Sequence, residues 1–161
     1  MLDRTDQGIV YDRTLDVSSV YGVCAFGVLP VDDEKVERAW QKTLRVLSEG
    51  NSAGGIARFE DDDYYRIPGR TQGNPWIITT LWYAEYLIAK AKKRSDLARV
   101  RDIFDWVARL TSAGPMPGCA APTFPPTEIA GFCGLEDFQS TVRVLIERLG
   151  GRPGNFYYAH D

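Results

Sequence analysis

Aromatic, basic and acidic residues are concentrated in residues 54–76, GGIARFEDDDYYRIPGRTQGNPW. A flat aromatic ring can pack against the apolar face of a pyranose, and an arginine or a carboxylate can hydrogen-bond its hydroxyl groups. The aromatic and basic residues that could do this are Arg58, Phe59, Tyr64, Tyr65 and Trp76. This composition is typical of a sugar-binding loop.

Each residue of this stretch also has a simpler structural explanation. Glu60 to Asp63 are four consecutive acids. Adjacent residues point in different directions, so a solvated charged turn explains these acids more simply than catalysis does. Trp76 and Trp82, taken singly, are more typical of a packed core than of a ligand platform. The sugar-site interpretation therefore depends on the arrangement of the whole stretch.

The composition limits the other functions of the chain. Its 161 residues are 44% apolar and 25% charged, which is enough to bury one ordinary core. The formal net charge is −3 and no basic block occurs, so we expect neither a nucleic-acid nor a membrane partner. No segment has an export pattern or a bilayer-spanning apolar run. We therefore expect a soluble, cytoplasmic protein.

Cysteine and histidine usage predicts no metal site and no cofactor. Cys24, Cys119 and Cys133 are an odd set without CxxC spacing, and the single histidine, His160, lies at the end of the chain. Neither a zinc site nor a disulfide framework has this pattern. We expect buried or unreactive thiols.

Two segments have the pattern of helices surrounded by protein. Residues 15–29 and 76–91 are apolar or small around most of the helical circumference. For the second of them, Asn74 is the predicted N-cap and Pro75 the predicted first helical residue. We expect both helices to lie on the inside of the fold.

Two other segments, residues 33–47 and 95–110, each carry a single apolar stripe. The first has acids in its first turn, and Ser95 is the predicted cap of the second. The resulting order of inner, outer, inner and outer helices predicts an all-α fold with two helix layers, as in an α/α barrel. Four helices cannot close such a ring, so the chain would form a partial barrel or a smaller bundle.

The sequence changes character after Thr111. Residues 112–134 are rich in proline and glycine, which excludes a regular helix there. Residues 135–149 then predict one further helix with a single apolar stripe. The members of that stripe are Phe138, Val142, Leu145, Ile146 and Leu149.

Residues 55–76 resemble glycoside hydrolase family 15, the glucoamylase and glucodextranase family. In that family an Arg-Tyr, an acidic pair, tyrosines and Gly-Asn-Pro-Trp precede an inner helix similar to TTLWYAEYLIA. Residues 15–47 likewise resemble the family's Asp-x-Ser helix, its Phe-Gly turn and the acidic start of the next helix. The resemblance covers about residues 10–117. This sequence departs from the family by the phenylalanine at position 59 and by an insertion, RIPGRTQ, before Gly73.

The resemblance implies an (α/α)6 barrel in which residues 1–117 form part of a catalytic domain. Residues 118–161 have no likeness to the family and are expected to be a divergent or foreign tail of loop and one helix. The resemblance also implies that Arg58 and Tyr64 contact sugar and that Trp76 opens the inner helix. Arg58, Tyr64 and Trp76 are therefore the candidate substrate-binding residues.

Inverting hydrolysis of a glucosidic bond needs two carboxyl groups, roughly 6.5 to 9.5 Å apart, one as general acid and one as general base. In the family the acid lies upstream of anything matched here, and the base is a glutamate in a Gly-x-x-Pro-Glu-Gln or Gly-x-x-Ser-Glu-Gln turn. Residues 114–117 match the start of that turn, but Gly118 and Cys119 follow in place of the glutamate. Glu128 and Glu136 lie outside the turn, so no catalytic residue is assigned.

These observations predict part of a glucoamylase-like glycoside hydrolase whose substrate is an α-glucan or oligosaccharide. The isolated chain is expected to be inactive and to self-associate through exposed inner helices. Three alternatives remain: a non-catalytic carbohydrate-binding module that uses the same loop, a helical scaffold, and other α/α-toroid chemistry such as phosphorolysis.

Overall fold

A computed structural model of the chain describes residues 2–6, 8–48, 55–64, 66 and 73–111. In this part an antiparallel two-stranded ribbon precedes four α-helices and one 3-10 turn. The elements are β1 (Leu2–Thr5), β2 (Gly8–Tyr11), α1 (Val17–Ala25), α2 (Glu34–Leu47), α3 (Ile77–Lys90), the 3-10 turn (Arg94–Leu97) and α4 (Ala98–Thr111).

The described part of the chain is mostly helical, which confirms the predicted class. Helix α1 packs on α2 and α3, and α3 packs on α4. These four helices do not form a ring by themselves. The predicted helix at residues 135–149 and the proposed tail at residues 118–161 lie outside the described residues. None of the described helices combines the length and the apolar character that crossing a bilayer requires.

The ribbon of β1 and β2 was not predicted. Leu2 pairs with Tyr11 at one end and Thr5 with Gly8 at the other. Gly8 has a φ of 117°, a conformation that residues with side chains rarely adopt. All four residues of β2 are exposed. The strand lacks a clear apolar alternation because it buries neither face.

Helix α1 is shorter than residues 15–29 and less enclosed than expected. It ends because Gly27 takes a left-handed φ of 64°, and the Val28 amide bonds the Val23 carbonyl at 2.9 Å. Only Val17 and Val20 of this helix are buried. Self-association through exposed inner helices stays a prediction.

The predicted cap of α3 was wrong. The helix begins at Ile77 with Trp76 in the N-cap position, and the Trp76 side chain makes no capping hydrogen bond. The expectation of Asn74 as cap and Pro75 as first helical residue rested on local pattern alone. Trp76 instead has extended backbone and pairs with Ile56 from the preceding loop, which delays the first helical turn.

The predicted cap of α4 was also wrong, because a 3-10 turn precedes the helix. Asp96 holds that turn by accepting the Lys92 and Lys93 amides at 3.1 and 3.2 Å. Ser95 therefore lies within the turn and does not cap the helix. Helix α2 starts close to its prediction, with Asp33 as a cap that accepts the Lys35 amide at 2.7 Å.

Two apolar clusters form the core. The first joins α1, α2, the loop before α3 and one side of α3, and its buried members are Val17, Val20, Val36, Trp40, Leu47, Ile56, Ala57 and Tyr86. The second lies between α3 and α4 and consists of Ile77, Leu81, Ala84, Ile88, Val100, Ile103 and Val107. Helix α3 contributes to both clusters, as expected for a helix that is apolar nearly all round.

Candidate functional site

The candidate site is built on residues 55–64, here called the site loop, which lie against the N-terminal ends of α1 and α3. On the α1 side, the Val17 amide donates to the Arg58 carbonyl at 2.9 Å, and the Glu60 amide donates to the Leu15 carbonyl at 3.0 Å. The Glu60 carboxylate also accepts the Leu15 amide at 2.6 Å. These bonds join the site loop to the start of α1 as a short antiparallel pair.

On the α3 side, a second set of bonds fixes the start of the site loop. The Trp76 amide donates to the Ile56 carbonyl at 2.9 Å. The Ile56 amide donates to the hydroxyl of Thr80 at 3.0 Å, and the Thr79 hydroxyl donates to the Ile56 carbonyl at 2.6 Å. The site loop is therefore anchored to both helices before its functional side chains are placed.

Arg58 is held by Asp62 through two parallel hydrogen bonds. Nε donates to Oδ2 at 2.8 Å and Nη2 donates to Oδ1 at 2.7 Å. The hydrogen bond with Asp62 is the main cause that raises the pKa of Arg58 above its usual value. Asp62 also accepts the Tyr64 amide at 3.1 Å. A bidentate pair of this kind fixes the plane of the guanidinium as well as its position.

The four acids differ in their surroundings, so the interpretation as a solvated turn was wrong for two of them. Asp62 is fully buried, although its partner Arg58 is 32% exposed. Glu60 is half-buried, whereas Asp61 and Asp63 are exposed. The separation arises because Asp61 has a φ of 62°, which turns the chain sharply between its neighbours.

Three aromatic rings surround the Arg58 guanidinium. Its Cζ lies 4.0 Å from the ring centre of Trp76, 5.2 Å from that of Tyr64 and 5.1 Å from that of Phe59. The Tyr64 and Trp76 rings are themselves 5.7 Å apart. The structure thus brings the three predicted site residues together. It also places Arg58 over one face of Trp76, so a sugar cannot stack on that face.

Two glycines at the edges of the site are required by close approaches that the sequence did not reveal. A Cβ on Gly73 would lie 2.6 Å from the Cβ of buried Asp62. A Cβ on Gly55 would lie 2.7 Å from the Trp106 ring, and Gly55 also has a φ of 82°. Gly73 therefore lets the chain before α3 close over Asp62.

Trp82 belongs to the packing between α1 and α3. Its ring stacks on Tyr21 with 4.5 Å between ring centres and 6° between planes. The Tyr21 hydroxyl donates to Glu85 at 2.9 Å. These contacts support the core interpretation of Trp82. Tyr65, Glu128 and Glu136 lie outside the described residues, as does the turn at residues 114–119.

A comparison with curated proteins gives one relative. In an alignment 115 residues long that covers 66% of the chain, the sequence is 30% identical to a protein of Methanocaldococcus jannaschii that is named as an uncharacterized glycosyl hydrolase. The chain spans 17% of the length of that relative. No protein-family model matches the chain. No solved structure matches it either. The similarity supports a relationship to glycosyl hydrolases in general and does not distinguish one family of them.

Proposed function

We propose that the site loop and Trp76 form a saccharide-contacting part of a glucoamylase-like glycoside hydrolase. In the complete enzyme this part would belong to an (α/α)6 barrel that cleaves α-glucosidic bonds of a glucan or oligosaccharide by inversion. The observation that carries the proposal is the fixed, partly exposed guanidinium of Arg58 beside the Tyr64 ring. The similarity to a protein named as a glycosyl hydrolase supports the same class of ligand.

Arg58 has the groups that a sugar contact needs. Asp62 uses Nε and Nη2, and in the described part of the chain Nη1 makes no hydrogen bond. In this proposal Nη1 donates to a sugar hydroxyl, while the Tyr64 ring, in a side chain that is 48% exposed, packs against the apolar face of the pyranose. Because the ion pair and the three surrounding rings already fix the guanidinium, little conformational entropy is lost on binding.

Trp76 and Asp62 take supporting roles in this proposal. One face of Trp76 holds Arg58 by a cation–π contact, so only the remaining surface of the indole is left for sugar. Asp62 sets the direction in which Nη1 points. The pair of carboxyl groups that performs the hydrolysis is not assigned to residues of this chain, and we propose that the chain binds saccharide without cleaving it.

The test is a titration of the full chain with maltotriose, followed by NMR, for the unmodified protein and for Arg58→Lys. Lysine keeps a positive charge for Asp62 but lacks the planar fork that directs Nη1 outward. We expect Arg58→Lys to weaken binding by about 1.5 to 3 kcal/mol, the size of a lost charge-assisted hydrogen bond. Arg38→Lys is the control, because Arg38 is an exposed arginine of α2 that pairs with Glu34 at 2.9 Å.

The outcomes separate the alternatives. Equal affinity of the unmodified protein and Arg58→Lys would contradict the site assignment. Absence of maltotriose binding by the unmodified protein would favour the helical-scaffold alternative. A lower melting temperature with unchanged affinity would mean that Arg58 only ties the site loop to Asp62.

A further inference from the structure

Asp16 lies at the start of α1, directly opposite the site loop. Its backbone pairs with Phe59 in an isolated antiparallel bridge. Its side chain caps α1, because Oδ1 accepts the Ser18 amide at 2.8 Å and the Ser18 hydroxyl at 2.7 Å. The cap therefore uses one carboxylate oxygen. Within the described residues the other oxygen, Oδ2, makes no hydrogen bond.

The carboxylate of Asp16 is also a charged neighbour of Arg58. Its negative charge is among the smaller causes that raise the pKa of Arg58, behind the hydrogen bond with Asp62. Asp16 is half-buried and forms no ion pair with Arg58 among the described residues. Since Arg58 is already paired with Asp62, Asp16 is a second carboxylate near the same guanidinium.

Helix capping alone does not require this negative charge. Serine, asparagine and aspartate cap helices about equally well. Asp33 provides a comparison within the same chain, because it caps α2 by accepting the Lys35 amide at 2.7 Å and lies in no contact with the site loop among the described bonds. Asp16 and Asp33 thus share one structural role, and only Asp16 is paired with the site loop.

We infer that Asp16 is a second saccharide-binding residue of this site. Its Oδ2 accepts a hydrogen bond from one hydroxyl of the sugar while Arg58 donates to another. The second carboxylate repels an anionic ligand, so the site prefers a neutral saccharide over an anionic one of the same shape. This inference rests on the proposed function and adds to it a residue and a charge preference.

The experiment compares Asp16→Asn with Asp33→Asn in NMR titrations of the full chain. The probes are maltotriose, methyl α-glucoside and methyl α-glucopyranosiduronate; the last two differ by a carboxylate in place of the hydroxymethyl group. Asp16→Asn is expected to weaken maltotriose binding about tenfold, as for loss of a charge-assisted hydrogen bond, and to narrow the preference for the neutral glucoside. Asp33→Asn should change neither quantity.

Asp16→Ser serves as a second variant, because serine is a good cap without a carboxylate. Affinity of the Asp16 variants equal to that of the unmodified protein would overturn the inference and leave the proposed function standing. Equal losses of maltotriose affinity in the Asp16 and Asp33 variants would also overturn the inference. So would unfolding of both Asp16 variants while the Asp33 variant stays folded. If the unmodified chain binds none of the probes, the proposed function fails first and this inference fails with it.

Discussion

Replacing Asp62 by asparagine tests whether the Arg58–Asp62 pair organises the site loop. The substitution keeps the shape of the side chain but removes its charge. It also puts an amide group, a hydrogen-bond donor, where a carboxylate oxygen accepts either Nε or Nη2 of Arg58. At least one of the two parallel bonds is then lost, and a buried polar group is left without its partner.

The size of the effect follows from the burial of the two partners. Breaking a buried ion pair by removing one charge typically costs about 3 to 5 kcal/mol. Because Arg58 is 32% exposed, water can solvate part of its charge, and we expect a loss of about 2 to 3 kcal/mol in the free energy of unfolding. Urea unfolding at neutral pH, followed by tryptophan fluorescence and by circular dichroism, measures this loss.

Asp63→Asn is the matched control, because Asp63 is an exposed acid next to Asp62. Exposed substitutions of this kind usually change stability by less than about 0.5 kcal/mol. If Asp62→Asn is as mild as Asp63→Asn, Asp62 is not a buried partner of Arg58, and the geometry on which the site rests is wrong.

Three further predictions follow from the packing and from the sequence. Gly73→Ala should destabilise the chain by roughly 1 to 3 kcal/mol, because its Cβ would lie 2.6 Å from the Cβ of Asp62. Gly22→Ala is the control, because its added Cβ would meet only an ordinary contact with Phe26 at 3.7 Å, and an equally mild result for both variants would contradict the clash. Leu81→Ala should cost about 2 to 5 kcal/mol in urea unfolding, because Leu81 is 0% exposed between α3 and α4, and a near-neutral result would place this side of α3 at the surface. The purified chain should release no glucose above background from maltose, dextrin, trehalose or isomaltose, because Gly118 and Cys119 stand where the catalytic glutamate is expected. A general acid or base typically raises the reaction rate by about 10² to 10⁴-fold, and that gain is lost without it. Turnover within a hundredfold of a complete glucoamylase would refute this prediction.

The helices could be predicted from sequence where one face alone is buried. In α2, Val36, Trp40, Thr43 and Leu47 recur at helical spacing and are buried as the pattern indicated. The start of α3 could not be predicted, because the pairing of Trp76 with Ile56 is a contact between residues far apart in the chain. The local preference of Asn74 and Pro75 for the start of a helix has less influence on where α3 begins than this long-range pairing.

The members of the site could be proposed from residue type, but their roles could not. Four adjacent acids look equivalent in sequence, and only the left-handed turn at Asp61 shows why Asp62 is buried while Asp63 is exposed. Trp76 was expected to offer its face to sugar, yet Arg58 occupies one face of the ring. The role that we infer for Asp16 has no signal in the sequence, because helix capping alone explains an aspartate at this position.

The most direct test of the proposed site is a crystal structure of the full chain soaked with maltotriose. We predict density for a glucose unit beside Tyr64, with a hydroxyl oxygen within hydrogen-bonding distance of Nη1 of Arg58 and with the Arg58–Asp62 pair intact. Sugar bound elsewhere, or an Arg58 side chain turned away from Asp62 towards solvent, would contradict the proposed role of the site loop.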